Sequence, residues 1–153
     1  MSKTDQAVSL FKKGYNCSQS VFSAFAEQFG IDRETALKIA GGFGGGMGRM
    51  GEVCGALTGA FMALGLQFSE GSQETLDSKV RMYEKVRELA AQFKARHGSI
   101  RCFDLLGCDI STPEGHDMAV EQGLFRLKCA NYVKDAAGLL DDMLYYTNRG
   151  TTP

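Results

Sequence analysis

Apolar residues recur along this chain at helical spacing, three or four positions apart, and seldom alternate. The spacing predicts a first helix over roughly Asp5 to Lys13 that stops at Gly14. Asn16 is placed to cap a second, from Cys17 to about Phe29, with Val21, Phe22, Phe25 and Phe29 on one face before Gly30 ends it. Asp32 caps a short third helix that runs into a glycine tract. The most apolar run, Val53 to Leu66, is about 14 residues, short of the roughly 20 that span a bilayer, and reads as a buried helix. Ser72 opens a long helix to about His97, with Leu76, Val80, Tyr83, Val86, Leu89, Ala90 and Phe93 as its apolar stripe. Ser99 caps a short helix carrying Cys102, Leu105 and Leu106, and Thr112-Pro113-Glu114 starts another with proline in its favoured first position. The last helix carries Phe125, Cys129, Tyr132, Val133, Ala136, Leu140, Met143 and Leu144. With two prolines and few alternating β-branched runs, there is little from which to build a sheet. No repeat or linker divides the chain. The expected fold is all-α, a single compact domain of about six to seven helices over residues 1–153.

One run within this pattern predicts close packing. Gly51, Gly55, Gly59 and Ala63 recur every four residues and leave a groove without side chains, into which a neighbouring helix can press. Leu57, Phe61, Leu64 and Leu66 fill the surroundings, so Cys54 is expected to be enclosed near another helix.

Charge narrows the partners. Seventeen basic residues against eighteen acidic ones give a net charge of −1, and no block of like charge points to nucleic acid or an acidic membrane. Met1 to Lys13 lacks the apolar core of a signal peptide, and a cytoplasmic location is expected. Thiols there stay mostly reduced, and the odd number of cysteines, five, also speaks against a structural disulfide framework.

The cysteines carry the candidate chemistry. Cys17, Cys54, Cys102 and Cys129 fall where an apolar helix is about to begin or has just begun. No two form a C-x-x-C, which excludes a zinc ribbon, a thioredoxin-type motif and covalent haem attachment by spacing alone. Only the fold can bring them together. Free cysteine is often a small core hydrophobe, and the neighbours of each one fit that role; the joint placement of four is what argues for function. A helix N-terminus favours the thiolate, the form that attacks disulfides and binds metals. Cys54, behind a glycine-rich loop, is therefore expected to ionise readily and to alkylate faster than an unperturbed thiol. Cys108 follows Gly107 in a polar connection and is expected to lie apart as a more exposed thiol, and His97 and His116 read as solvated.

The tract from Gly41 to Gly51 is the second candidate. Gly46-Met47-Gly48-Arg49-Met50-Gly51 matches the dinucleotide pattern G-x-G-x-x-G letter for letter, yet no strand precedes it, and no Gly-Lys-Ser/Thr follows to make a P-loop. Tight turns and close backbone approach are one reading of the glycines. The other is an anion nest in which Gly46, Gly48 and Gly51 hold a cofactor beside Cys54 with their backbone N–H groups.

The chain resembles the C_GCAxxG_C_C family of redox-active proteins. The resemblance lies in Tyr15-Asn16-Cys17-Ser18-Gln19-Ser20-Val21-Phe22, in the stretch from Gly44 to Ala60, in Cys102-Phe103-Asp104-Leu105-Leu106-Gly107 and in Lys128-Cys129. The central block here reads Cys-Gly-Ala-x-x-Gly, with Val53 before the cysteine. The resemblance implies a redox role for Cys17, Cys54, Cys102 and Cys129 and an unidentified redox partner protein, and leaves a homo-oligomer open. A similar domain accompanies a haem protein credited with an iron–sulfur centre, which implies iron–sulfur binding here. Four thiolates complete the ligand set of such a cluster and would make the protein an electron carrier. The same cysteines cycling between dithiol and disulfide would make it a thiol oxidoreductase or redox sensor. A four-thiolate structural zinc remains as a further option, though without the closely spaced pairs usual for zinc.

Overall fold

The computed structural model describes residues 1–148, so residues 149–153 of the expected domain lie outside it. Eight α-helices form among the described residues, as the all-α expectation requires. Five of them begin at a side-chain cap. Ser2 caps α1 (Lys3–Lys12) by accepting from the Asp5 N–H. Asn16 caps α2 (Cys17–Ala26) in a reciprocal box: its side chain accepts from Gln19 N, and the Gln19 side chain accepts from Asn16 N. Asp32 caps α3 (Arg33–Ala40), accepting from Thr35 N. Then come α4 (Gly55–Phe68) and α5 (Leu76–His97), the latter capped by Thr75 rather than opened at Ser72, where Gly71–Gln73 forms a separate 3-10 turn. The short α6 (Cys102–Leu106) is followed by α7 (Pro113–Glu121), capped by Thr112, and by a π-helical turn, Phe125–Cys129, that leads into α8 (Ala130–Asn148). Ser99 turns back onto Arg101 N and Asp104 but does not cap α6, whose cap position is Arg101.

The core forms where α2 and α4 meet, with α1, α5 and α8 around them. Phe25, Leu57, Leu64, Leu89, Phe93, Val133 and Leu140 are fully buried there. The small residues of α4 let α2 come close: a methyl group on Gly59 would lie 2.6 Å from the Ser18 carbonyl oxygen, and one on Gly55 3.1 Å from Ser18 N. Gly51 is not part of this ridge. It precedes the helix in the left-handed region (φ 73) and faces Phe103.

The predicted stripe of α5 is covered only in its second half. Leu89 and Phe93 are buried, whereas Leu76, Val80 and Tyr83 are exposed, Leu76 at 77%. Helical spacing alone therefore overstated the buried face.

A smaller apolar cluster lies beside the core, formed by Cys102, Leu106, Cys108, Ile110, Ala119 and Cys129, with Phe11, Cys17, Phe125 and Tyr132 against it. Of the four candidate cysteines, Cys102 and Cys129 lie in it, Cys17 packs against it, and Cys54 belongs to the adjoining main core.

Candidate functional site

Two pieces of local structure converge the cysteines. The first is a short antiparallel pairing that the helical reading did not anticipate. Val53 and Arg101 form an isolated bridge; Cys54 N donates to Ile100 O (2.8 Å), Cys102 N to Glu52 O (2.7 Å) and Phe103 N to Gly51 O (3.0 Å). The ladder sets Cys54, the N-cap of α4, beside Cys102, the first residue of α6. The second is the crossing of α2 and the start of the last helix, which sets Cys17, the first residue of α2, against Cys129 in the π-helical turn.

The four side chains line one small enclosed cavity of about 30 Å³, whose wall is completed by residues including Gly45, Gly46, Leu105, Phe125 and Tyr132. That is room for about one or two water molecules. Every pair among the four thiols interacts electrostatically. All five cysteines are free thiols. Among the described residues, no three His, Cys, Asp or Glu side chains converge closely enough to hold a single metal ion.

The thiols divide by acidity. Cys17 is hydrogen-bonded to Cys129, and this contact, with burial second, holds the Cys17 thiol well above its ordinary pKa. The same bond, aided by the nearby Lys128 ammonium, pulls Cys129 below its ordinary value against the effect of burial. Cys17 is thus the donor and Cys129 the more acidic sulfur. Burial pushes Cys54 up to about 12, and the N–H groups of Ala56 and Leu57 only partly offset it. Burial, then the neighbouring Cys54, Cys129 and Cys108, pushes Cys102 up to about 12 as well. The expectation that Cys54 ionises readily is therefore overturned. A helix end is usually worth under about 1 kcal/mol, whereas full desolvation shifts a pKa by several units.

The glycine tract does something other than form the expected nest at all three positions. Gly45, Gly46, Met47, Gly48 and Arg49 all have φ between 59° and 66°, a left-handed turn that two non-glycine residues are made to join. Gly48 N donates to Gly42 O and Gly51 N to Gly45 O, so neither N–H is free for an anion. Gly46 does reach the cavity: a methyl group there would lie 2.8 Å from Cys102 Cβ. The tract brings backbone rather than side chain against the sulfurs.

Cys108 is also corrected. It is buried and packs with Cys102 and Cys129, though it does not line the four-cysteine cavity. Nor is His97 solvated. Its Nε2 lies 2.7 Å from Asp135 Oδ2, and its ring packs on Phe93 and edge-on to Tyr132 at 5.0 Å. Tyr132 lines the cavity and donates its hydroxyl to Leu105 O (2.9 Å). Its signal in the sequence was its place three residues after Cys129, on the same helical face. His116 packs against Phe125, with ring centroids 5.5 Å apart.

The family model described as "Putative redox-active protein (C_GCAxxG_C_C)" matches residues 15–143. An uncharacterized protein of Archaeoglobus fulgidus is 30% identical over 138 residues, which is 86% of this chain and 85% of that protein. No solved structure matches. No helix among the described residues is long and apolar enough to cross a membrane. The family match spans all four cavity cysteines, and on it the chain belongs to the C_GCAxxG_C_C family of redox-active proteins.

Proposed function

We propose that Cys17, Cys54, Cys102 and Cys129 hold an iron–sulfur cluster and that the protein carries electrons. The observation that carries this reading is the single enclosed cavity lined by all four thiols, arranged as two pairs. Cys17 meets Cys129 through a hydrogen bond, and the ladder brings Cys54 beside Cys102. A two-iron cluster asks each iron to take two cysteines, whereas a tetrahedral zinc needs four donors on one point. The residues fit the first demand better, since among the described residues no three donors converge on a point. When bound, such a cluster supplies one-electron transfer. The chain's own part is to provide thiolates, exclude water and place N–H groups near sulfur, as Ala56 and Leu57 do at Cys54. Ligation must displace protons from two thiols raised to about 12, so assembly should be favoured by rising pH.

One observation favours a second reading. The contact between Cys17 and Cys129 pairs a thiol with a more acidic sulfur, which is how a dithiol is poised for exchange. In that case a small disulfide would be reduced to two thiols as Cys17 and Cys129 lose two protons and two electrons to it and join. It would leave Cys54 and Cys102 without a part, which is why it ranks second.

Anaerobic purification with iron, acid-labile sulfide and zinc analysis and a visible spectrum tests the choice. Iron and sulfide in equal amounts, lost in Cys17→Ser, Cys54→Ser, Cys102→Ser and Cys129→Ser but kept in Cys108→Ser, is the expected result. Protein that takes up neither after anaerobic reconstitution refutes the cluster. A mass-mapped Cys17–Cys129 disulfide on mild oxidation would then establish the second reading.

A further inference from the structure

A second, larger pocket lies against the outside of the four-cysteine cavity. It has a volume of about 650 Å³ and shares three wall residues with the inner cavity: Cys17, Gly45 and Phe125. Cys17 is half-buried, whereas the other three cavity cysteines are buried, and it lines this pocket as well as the inner cavity. A volume in this range suits a small organic molecule, not a protein segment.

We propose that this pocket binds an aromatic phosphate, a ring system carrying a phosphate group, with the ring beside Cys17. The walls supply both halves of that chemistry. Rings come from Phe11, Tyr15, Phe125 and His116, and aromatic side chains favour an aromatic guest by offset or edge contacts. Charge comes from Arg49, whose guanidinium has no ion pair or hydrogen bond among the described residues. No carboxylate side chain lines the pocket, so an anion meets a cation without an opposing charge. The backbone adds to this: the N–H groups of Gly44, Gly45 and Gly46 have no acceptor among the described residues, unlike those of residues 47–52, each of which donates to a carbonyl. Gly44 and Gly45 line the pocket with Arg49. The N–H groups of these two glycines and the guanidinium are donors for a phosphate, while Gly46 faces the inner cavity. Arg49 is held in the left-handed region (φ 64) to be there.

Binding itself is independent of what the cysteines do. The role of the ring as an electron partner rests on the redox reading above, because Cys17 is the cysteine that lines both the pocket and the inner cavity. The probes are flavin mononucleotide and AMP, with riboflavin and inorganic phosphate as the two halves, titrated by calorimetry into wild-type protein and Arg49→Gly. Glycine relieves the left-handed backbone at this position, so the variant should fold at least as well. The expected result is binding of at least one aromatic phosphate, about ten-fold or more weaker in Arg49→Gly and for riboflavin, with Arg49→Lys in between. The bound probe should also slow alkylation of Cys17. Equal binding by wild type and Arg49→Gly, equal binding of riboflavin and flavin mononucleotide, unprotected Cys17, or no binding of either aromatic phosphate at about 1 mM would each overturn the proposal. A protein that binds the probe and protects Cys17, yet takes up no iron and forms no disulfide, would sink the redox reading and leave the pocket standing.

Discussion

Gly59→Ala tests the packing on which the whole site depends. In α4 the hydrogen of Gly59 faces the backbone of α2, and a methyl group would sit 2.6 Å from Ser18 O, 3.2 Å from Phe22 N and 3.2 Å from Ser18 Cα. The first of these is about 0.8 Å short of the 3.4 Å at which ordinary contact begins. All three obstacles are backbone atoms, which cannot rotate away as a side chain would. Overpacking costs about 1–3 kcal/mol, and this site belongs at the upper end. Alanine returns about 1 kcal/mol through its better helix propensity. The net expectation is a loss of about 2 kcal/mol, which at a urea m-value near 1–3 kcal/mol/M lowers the midpoint by about 1 M.

Gly65→Ala on the same helix is the control, because nothing lies within 4 Å of its added methyl group. There only the propensity acts, and the midpoint should rise, by up to about 1 kcal/mol in stability. The two variants share a chemistry and a helix, so their opposite signs isolate the contact. Ser18 follows Cys17 directly, and pushing α2 off α4 should also move Cys17 relative to Cys129. Gly59→Ala should therefore lower iron retention, or speed Cys17 alkylation in metal-free protein, while Gly65→Ala changes neither. A Gly59→Ala midpoint at or above that of the wild type, with unchanged m, would refute the argument for close approach of the two helices.

Three further outcomes follow from the burial of polar groups. Cys54 and Cys102 are pushed up to about 12, against an ordinary 9.0, so between these values the unfolded chain gives up thiol protons that the folded one keeps. Through these two thiols the stability of metal-free protein should fall as pH rises through 9 to 11, by up to about 1.4 kcal/mol per unit for each; urea midpoints across pH check it, and Cys54→Ala should flatten the slope. Ser23 is fully buried and its hydroxyl has no partner among the described residues, so Ser23→Ala should raise stability by about 1 kcal/mol in the same assay. Tyr132→Phe removes the hydroxyl that donates to Leu105 O at the cavity wall; it should cost about 1 kcal/mol and leave the iron content unchanged, since the ring still fills the wall.

Much of the helical frame was legible because it follows from local chemistry. Asn16, Asp32 and Thr112 cap helices where their side chains reach the N–H three residues on, and glycine ends α2's extension and α5 in the left-handed region. The gathering of Cys17, Cys54, Cys102 and Cys129 was inferred from a shared position, but the devices that achieve it left little trace. The pairing of residues 51–54 with 100–103 is too short to show alternation. The left-handed turn depends on five consecutive residues with positive φ, and Met47 and Arg49 give no sign that they adopt it. Burial was misjudged where it depends on non-local cover: Cys108 sits in a polar stretch yet is enclosed by Ile110, Ala119 and Leu106, while Leu76 continues a regular stripe into solvent.

The corrected acidity of Cys54 changes the chemistry of the site more than the correction to any helix boundary. Each of the four sulfurs is placed where a helix start or the following turn could favour a thiolate, but enclosure in a cavity of about 30 Å³ removes the water that charge would need. The sulfurs also oppose one another, because ionising any one raises the cost of ionising the next. A cavity of this kind tolerates about one thiolate by itself, and the hydrogen bond from Cys17 with the charge of Lys128 assigns it to Cys129. Ionising all four needs positive charge brought into the cavity, and on the reading proposed here iron supplies it. The two proposed chemistries thus make opposite demands on the same sulfurs. Exchange uses the one thiolate the protein can hold unaided and stops at Cys17 and Cys129, whereas a cluster requires Cys54 and Cys102 as well. Replacing Cys54 and Cys102 together by serine separates them: exchange between Cys17 and Cys129 should survive, and cluster binding should not.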